Sequence, residues 1–144
     1  MSTTEKLNGY GPLAGVKVVE LCEWVAAPAC VRCLSEMGAT VIKVEPPYGD
    51  AQRTQGPGFG CEQTDMEDPT IDLNNTNKNF VSINLKNEEG MKFMKKLLAD
   101  ADIFVNNLRD KALNKMGLDY ETLHKEFPTL IWAQMRGYGE YGPE

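Results

Sequence analysis

Residues 16–45 decide the fold, and they read VKVVELCEWVAAPACVRCLSEMGATVIKVE. Residues 16–21 form a short apolar run after a turn that contains glycine and proline, which predicts a buried strand. A helix is expected next, because Pro28 suits a first helical turn and Gly38 lies just beyond the last apolar residue. Residues 40–45 predict a second strand, which two prolines stop. A β-α-β unit of this length favours parallel pairing of the two strands.

The helix between these strands has apolar residues on one face at helical spacing, namely Cys30, Cys33, Leu34 and Met37. Cys30 and Cys33 also form a CxxC motif, whose functional interpretation is redox chemistry or half of a zinc site. The sequence has no second CxxC, and its only histidine, His124, lies far along the chain. We therefore expect free cysteines on the buried side of this helix and no metal site.

The rest of the chain continues the alternation of strands and helices. Further strands are predicted at residues 80–85, 101–106 and 130–135. Further helices are predicted after the capping residues Asn87 and Asp119 and near residues 111–116. Residues 46–79 show no period, so a long functional loop is expected there. The predicted fold class is α/β, with a Rossmann-like, mostly parallel sheet, flanking helices and ligand sites at the strand ends.

Charge and hydropathy exclude several classes of protein. The 144 residues carry a net charge of −6 and a pI of about 4.9, which disfavours nucleic acid and anionic membranes as partners. No apolar run approaches the length of a membrane span. The first eight residues lack the apolar core of a signal peptide, so a cytoplasmic protein is expected.

The first strand–helix turn argues against a dinucleotide cofactor. A dehydrogenase needs glycines there so that pyrophosphate can approach the backbone, whereas residues 21–28 contain none. Glu45, at the end of the second strand, resembles the acid that binds a ribose hydroxyl, but strand ends often carry an acidic residue. A P-loop sequence is absent as well.

An ordered series of short motifs runs through nearly the whole chain from Gly11. Its first members are Gly11-Pro-Leu-Ala-Gly-Val-Lys-Val-Val-Glu-Leu21, Ala27-Pro28, Gly38-Ala-Thr-Val-Ile-Lys-Val-Glu-Pro46, Gly49-Asp50 and Arg53. Its later members are Asn77-Lys78, Ile83-Asn-Leu-Lys86, Ala101-Asp-Ile103, Asn107-Leu-Arg109, Gly117-Leu-Asp119, Gly137-Tyr-Gly139 and Gly142-Pro143. The series resembles the N-terminal part of family III CoA-transferases, the family of formyl-CoA and carnitine CoA-transferases.

Within that family, the chain looks most like the 2-hydroxyacyl-CoA transferases of amino-acid-fermenting anaerobes, which act on phenyllactate or 2-hydroxyisocaproate. The segments that carry this closer likeness are Trp24-Val-Ala-Ala-Pro28, Leu73-Asn-Asn-Thr-Asn-Lys78 and Lys111-Ala-Leu113 with Gly117-Leu-Asp-Tyr-Glu-Thr-Leu123. The resemblance implies that coenzyme A moves between an acyl-CoA and a 2-hydroxy or aryl carboxylic acid.

The resemblance also implies a nucleophilic aspartate, which forms a mixed anhydride with the acyl group. In the family this aspartate belongs to a Leu-Gly-Asp-type motif downstream of the Gly-Tyr-Gly loop, and no such motif occurs here. Asp50, Asp102 and Asp119 have plainer roles as a loop acid, a strand start and a helix cap. Residues 1–144 are therefore expected to be the N-terminal part of the CoA-binding large domain, without catalytic residues and inactive alone. The resemblance also implies an interlocked homodimer of ring-shaped chains. A fragment cannot complete such a ring, so it is expected to expose apolar surface that the missing half covers.

The family's coenzyme contacts are expected at ten positions of this chain: Val25, Ala26, Ile83, Asn84, Leu85, Lys86, Asn107, Leu108, Arg109 and Lys115. Lys86 and Lys115 are expected to meet phosphate as point charges, and Arg109 to stack on the base or bind phosphate by its fork. The glycine loop after Arg136 is expected to lie near the active site of the family or to be a simple surface turn.

Two alternatives to a CoA-transferase stay open at the level of sequence. One is an acyl-CoA racemase with the same opening, which would use acid–base residues at the α-carbon. The other is a non-catalytic module that only binds coenzyme A. A Leu-Gly-Asp-type motif in the downstream sequence would distinguish a CoA-transferase from a racemase. Activity of this chain alone would distinguish either enzyme from a non-catalytic binding module.

Overall fold

The computed structural model describes residues 10–62, 64 and 67–139. Five strands alternate with helices: β1 Lys17–Leu21, α1 Ala26–Glu36, β2 Thr40–Glu45, α2 Pro69–Asn75, β3 Lys78–Ser82, α3 Glu88–Ala99, β4 Ile103–Asn106, α4 Asp110–Met116, α5 Tyr120–Glu126 and β5 Ile131–Gln134. The prediction that no signal peptide is present concerns the first eight residues, which lie outside the described part. None of the helices in the described ranges has both the length and the apolar character that crossing a membrane requires.

The strands form one parallel sheet in the order β3-β2-β1-β4-β5. This result confirms the predicted α/β fold with a Rossmann-like parallel sheet and flanking helices. The first strand lies in the middle, with β2 on one side and β4 on the other, so the strand order reverses there. Open α/β sheets bind their ligands at the carboxyl ends of the strands around such a reversal.

Side chains from the two faces of the sheet form two separate cores. Val18 of β1 packs with Ala27 and Val31 of α1 on one face. Val19 of β1 packs with Phe104 and with apolar residues of α3, α4 and α5 on the other. Successive side chains of a strand point to opposite faces, so a strand covered on both sides must be apolar nearly throughout.

The buried face of α1 differs from the predicted one. Small residues, Ala27 and Val31, are fully buried against the sheet, whereas Cys30 and Cys33 are exposed free thiols. Met37 is also exposed. The expectation of buried cysteines was wrong because two neighbouring stripes of α1 are apolar, and the stripe of small residues allows the closer approach to the sheet.

The segment after β2 has more local structure than the predicted loop. Short 3-10 turns occupy Ala51–Thr54 and Gly56–Phe59, and α2 follows with its N-terminus capped by Asp68. The next strand begins at Lys78 and ends at Ser82, two residues earlier at its start and three earlier at its end than predicted. It ends early because the Asn84 side chain turns the chain, with its Oδ1 accepting from Lys86 N at 3.1 Å.

The predicted helix ends are confirmed. Asn87 Oδ1 accepts from Gly90 N at 2.7 Å at the start of α3, and Asp119 Oδ1 accepts from Thr122 N at 3.0 Å at the start of α5. Gly117 ends α4 with a φ of 64°, the left-handed conformation that a helix C-terminus often requires.

Gly90→Ala should destabilise the protein, because α3 passes very close to the strand-end segment. A Cβ on Gly90 would lie 2.1 Å from the Asn84 carbonyl oxygen. We expect a net loss of about 2 kcal/mol in the free energy of unfolding, even though alanine favours helices. Urea unfolding measures this loss. Gly58→Ala is the control, since no atom lies within 4 Å of its added Cβ. Equal unfolding midpoints for wild type and Gly90→Ala would contradict the predicted contact.

Candidate functional site

A cavity of about 910 Å³ opens at the carboxyl edge of the sheet, on the side of α3 and α4. Its wall contains Leu21 of β1, Val44 of β2 and Ile83, which directly follows β3. Leu108, which follows β4, and Met116 of α4 complete the apolar part. The volume suits a ligand of the size of a nucleotide or a drug.

Polar side chains form the rim of this cavity. Lys86 follows β3 and Lys115 lies in the last turn of α4, and both are exposed. Neither ammonium group forms an ion pair with any residue that the structure describes. Glu23, which follows β1, lies on the same wall, and burial followed by the charge of Asp50 raises the pKa of its carboxyl group.

The cavity brings together six of the ten residues that were expected to contact coenzyme A. These six residues are Ile83, Asn84, Leu85, Lys86, Leu108 and Lys115. The other four, Val25, Ala26, Asn107 and Arg109, do not line it. Val25 and Ala26 are exposed at the start of α1, and Arg109 is exposed immediately before α4.

Asn107 has both ends of its side-chain amide engaged by the backbone. Its Oδ1 accepts from Glu23 N at 3.0 Å, and its Nδ2 donates to Glu23 O at 2.7 Å. The residue therefore joins the end of β4 to the turn after β1. A contact between Asn107 and a ligand stays a prediction.

A buried cluster of charges beneath the site was not predicted from the sequence. Lys43 Nζ lies 2.9 Å from Asp50 Oδ2 and 3.4 Å from Glu20 Oε1, and all three side chains are fully buried. Lys78 Nζ lies 2.8 Å from Glu20 Oε2. The cluster contains two acidic and two basic groups, so their ionised forms balance.

Burial and pairing compete for the charge state of this cluster. Burial disfavours the charged form of Lys43, but Glu20 and Asp50 outweigh burial and raise the pKa of Lys43. Burial lowers the pKa of Lys78, and the opposing effect of Glu20 is too small to reverse this shift. Burial likewise raises the pKa of Glu20, although Lys43 and Lys78 oppose it. The available sequence signal was the presence of Glu20, Lys43 and Lys78 in or beside apolar strands, where a charge requires a partner.

Glu45, the acidic residue at the end of β2, forms an ion pair with Arg53. Arg53 binds Glu45 with Nε at 2.8 Å from one carboxylate oxygen and Nη2 at 2.9 Å from the other. The same guanidinium group lies over the ring of Phe80, 5.3 Å from its centroid. Glu45 therefore uses its carboxylate in a bidentate ion pair, in the place where a dinucleotide enzyme would use it for ribose.

The other acids singled out in the sequence have structural partners. Asp50 Oδ1 accepts from Trp24 N and from Gln52 N, at 3.1 and 2.9 Å. Asp102 accepts from Lys17 N at 2.8 Å at the amino ends of β1 and β4. Within the described ranges, no group of three or more histidine, cysteine or acidic residues could hold a metal ion. Of the terminal glycine loop, residues 137–139 are exposed, and residues 140–144 lie outside the described part.

Fold and cavity together define a Rossmann-like unit with a nucleotide-sized site at its strand reversal. Residues 13–144 match the family described as CoA-transferase family III, so the chain belongs to this family. The chain is 50% identical over 131 residues to the (R)-2-hydroxy-4-methylpentanoate CoA-transferase of Clostridioides difficile, covering 91% of this chain and 33% of that protein. It is 47% identical over 137 residues to the cinnamoyl-CoA:phenyllactate CoA-transferase of Clostridium sporogenes, covering 95% and 33%.

A solved structure agrees with these sequence matches. The crystal structure of a CaiB/BaiF family protein from Brucella suis superposes with a TM-score of 0.84 at 38% identity, covering 92% of this chain and 35% of that chain. The chain thus spans about a third of the length of the relatives that it matches.

Lys43→Met should destabilise the protein strongly, because it leaves Asp50 and part of Glu20 buried without their counter-charge. We expect a loss of about 3–5 kcal/mol in the free energy of unfolding, measured by urea titration. Lys17→Met is the matched control, since the Lys17–Asp100 pair is largely exposed and should contribute less than about 1 kcal/mol. Similar small losses in both variants would contradict the paired state of the buried cluster.

Proposed function

We propose that this chain forms the coenzyme-A-binding part of a CoA-transferase that acts on 2-hydroxy or aryl carboxylic acids. The observation that carries the proposal is the cavity at the strand reversal, where Ile83–Lys86, Leu108 and Lys115 meet. The two clostridial relatives, whose names state hydroxy-acid substrates, support the substrate class.

The two parts of the cavity suit the two parts of coenzyme A. The apolar wall around Leu21, Ile83 and Met116 offers a surface to the pantetheine chain. The exposed ammonium groups of Lys86 and Lys115 offer positive charge to the phosphates. Three further residues lie outside this wall. We assign Arg109 to a contact with the adenine end of coenzyme A, and Val25 and Ala26 to contacts at the turn after β1.

The proposed reaction uses an aspartate carboxylate that this chain does not contribute. The carboxylate attacks the thioester carbonyl, a C–O bond forms, the C–S bond breaks and the CoA thiolate leaves. The thiolate then attacks the aspartyl carbonyl of the anhydride and releases the first acid. The carboxylate of the acceptor attacks the carbonyl of the resulting enzyme thioester, the C–S bond breaks, and the CoA thiolate leaves a second mixed anhydride. The thiolate then attacks the acyl carbonyl of that anhydride and displaces the aspartate carboxylate. Acceptor-CoA leaves and the free aspartate is restored, so this chain alone should not complete a turnover.

The proposal extends to assembly and location. The large apolar side chains on the surface support an interlocked homodimer as the assembly, and they include Ile131 on the edge strand β5, which is 60% exposed. The location that we propose is the cytoplasm. An acyl-CoA donor and a carboxylic acid acceptor are the only partners that the proposed chemistry requires.

Coenzyme A should bind to the protein more tightly than NAD. The first turn contains no glycine for a pyrophosphate, and Glu45 is held by Arg53, so neither part of a dinucleotide site is available. Isothermal titration calorimetry with both ligands in the same buffer measures the two dissociation constants. A dissociation constant for NAD equal to or below that for coenzyme A would contradict the proposed ligand class.

Lys86→Gln and Lys115→Gln should each weaken coenzyme A binding by about fivefold at low salt, because each removes one exposed phosphate partner. Pantetheine, which lacks the nucleotide phosphates, should bind equally to wild type and both variants. Lys111→Gln is the matched control, since Lys111 is an exposed lysine of the same helix α4 outside the cavity wall. Equal changes in coenzyme A affinity for all three variants would contradict the assignment of Lys86 and Lys115 as phosphate partners.

A further inference from the structure

Side chains hold the backbone of the turn that follows β1. Lys43 Nζ donates to Cys22 O at 2.9 Å, and Asp50 Oδ1 accepts from Trp24 N at 3.1 Å. Between them, the Asn107 amide binds both the N–H and the carbonyl of Glu23, at 3.0 and 2.7 Å. Four consecutive polar groups of the turn backbone therefore have side-chain partners from other parts of the fold.

The turn needs external support because of its conformation. Trp24 has a φ of 67°, in the left-handed region that costs a non-glycine residue about 1 kcal/mol or more. The residue is 48% exposed, so packing of the indole ring contributes only part of the restraint. Glycine would reach this conformation freely but would leave the turn flexible.

The three supporting side chains come from rigid surroundings. Lys43 lies within β2, on one side of β1, and its ammonium group is fully buried with Asp50 and Glu20. Asn107 directly follows β4, on the other side of β1. The turn is thus held from both neighbouring strands, and a buried ion pair keeps two of the three supports in place.

The supported turn is also part of the cavity wall, to which it contributes Cys22 and Glu23. We propose that Lys43, Asp50 and Asn107 are positioning residues that preorganise this turn for the ligand. The role rests on the proposed coenzyme A site. A turn that is already ordered adds no ordering cost on binding, whereas fixing one further backbone residue would weaken affinity by about tenfold.

Asn107→Leu tests this role, because leucine has a similar size and no hydrogen-bonding group. The protein is labelled with 5-fluorotryptophan, so that Trp24 reports on the turn and Trp132, which donates to Leu118 O, is an internal reference. We expect Asn107→Leu to shift or broaden the Trp24 resonance without ligand, to leave the Trp132 resonance unchanged and to weaken coenzyme A binding by about tenfold.

The matched control is Asn79→Leu, since the Asn79 amide also donates to a strand carbonyl, Val41 O at 3.1 Å, but away from the turn. It should leave the Trp24 resonance and the affinity unchanged. An affinity loss in Asn107→Leu with an unchanged Trp24 resonance would make Asn107 a direct ligand contact and overturn the positioning role. An unchanged affinity together with a shifted Trp24 resonance would also overturn it.

Amide hydrogen exchange in the wild-type protein tests the positioning role if the Asn107→Leu variant does not fold. The amides of Glu23 and Trp24 should exchange as slowly as those of β1, because Asn107 and Asp50 accept from them. Exchange at the rate of an unprotected loop would overturn the proposal. If wild type does not bind coenzyme A, the proposed function fails, while slow exchange of the two amides would still identify the supported turn.

Discussion

The buried pairing of two lysines with two acids is the constraint on which the rest of the structure depends. Glu20 lies in β1, Lys43 in β2 and Lys78 in β3, while Asp50 lies in the segment after β2. An unpaired charge at any of these positions would cost several kcal/mol. The three strands and the following segment must therefore come together in one register. The ionised forms of these four groups balance, so the cluster itself carries no net charge.

The lysines of the chain consequently divide into two groups with different roles. Lys43 and Lys78 are paired with acids inside the sheet, whereas Lys86 and Lys115 line the cavity and pair with no acid in the described part of the chain. Two ammonium groups thus lie at the carboxyl edge of a chain whose net charge is −6, on a cavity wall that also contains Glu23 and Glu88. The proposed phosphate contacts depend on these two lysines rather than on the net charge of the chain. The buried group also supports the turn beside that site, which links the stability of the sheet to the shape of the cavity wall.

Sequence patterns predicted the presence of the five strands and their parallel pairing, and they predicted side-chain partners poorly. Strand β2 has the predicted limits because Gly38 and the prolines after Glu45 bound it on both sides. The prediction of which face of α1 is buried was wrong, since two adjacent stripes of the helix are apolar and only packing against the sheet selects between them. Short 3-10 turns have too few residues to show a period. The roles of Asn107 and Asp50 depend on which strands are neighbours, and that information is absent from a linear pattern.

The proposed coenzyme A site is the cavity at the strand reversal. Amide chemical-shift mapping of the isotopically labelled protein during titration with coenzyme A shows whether the ligand binds there. We expect the largest shifts at Cys22 and Glu23, at residues 83–87 and around Leu108 and Lys115, all on the cavity wall. Saturable shifts that instead cluster at the smaller cavity between Asp110, Tyr120 and Arg136 would contradict it.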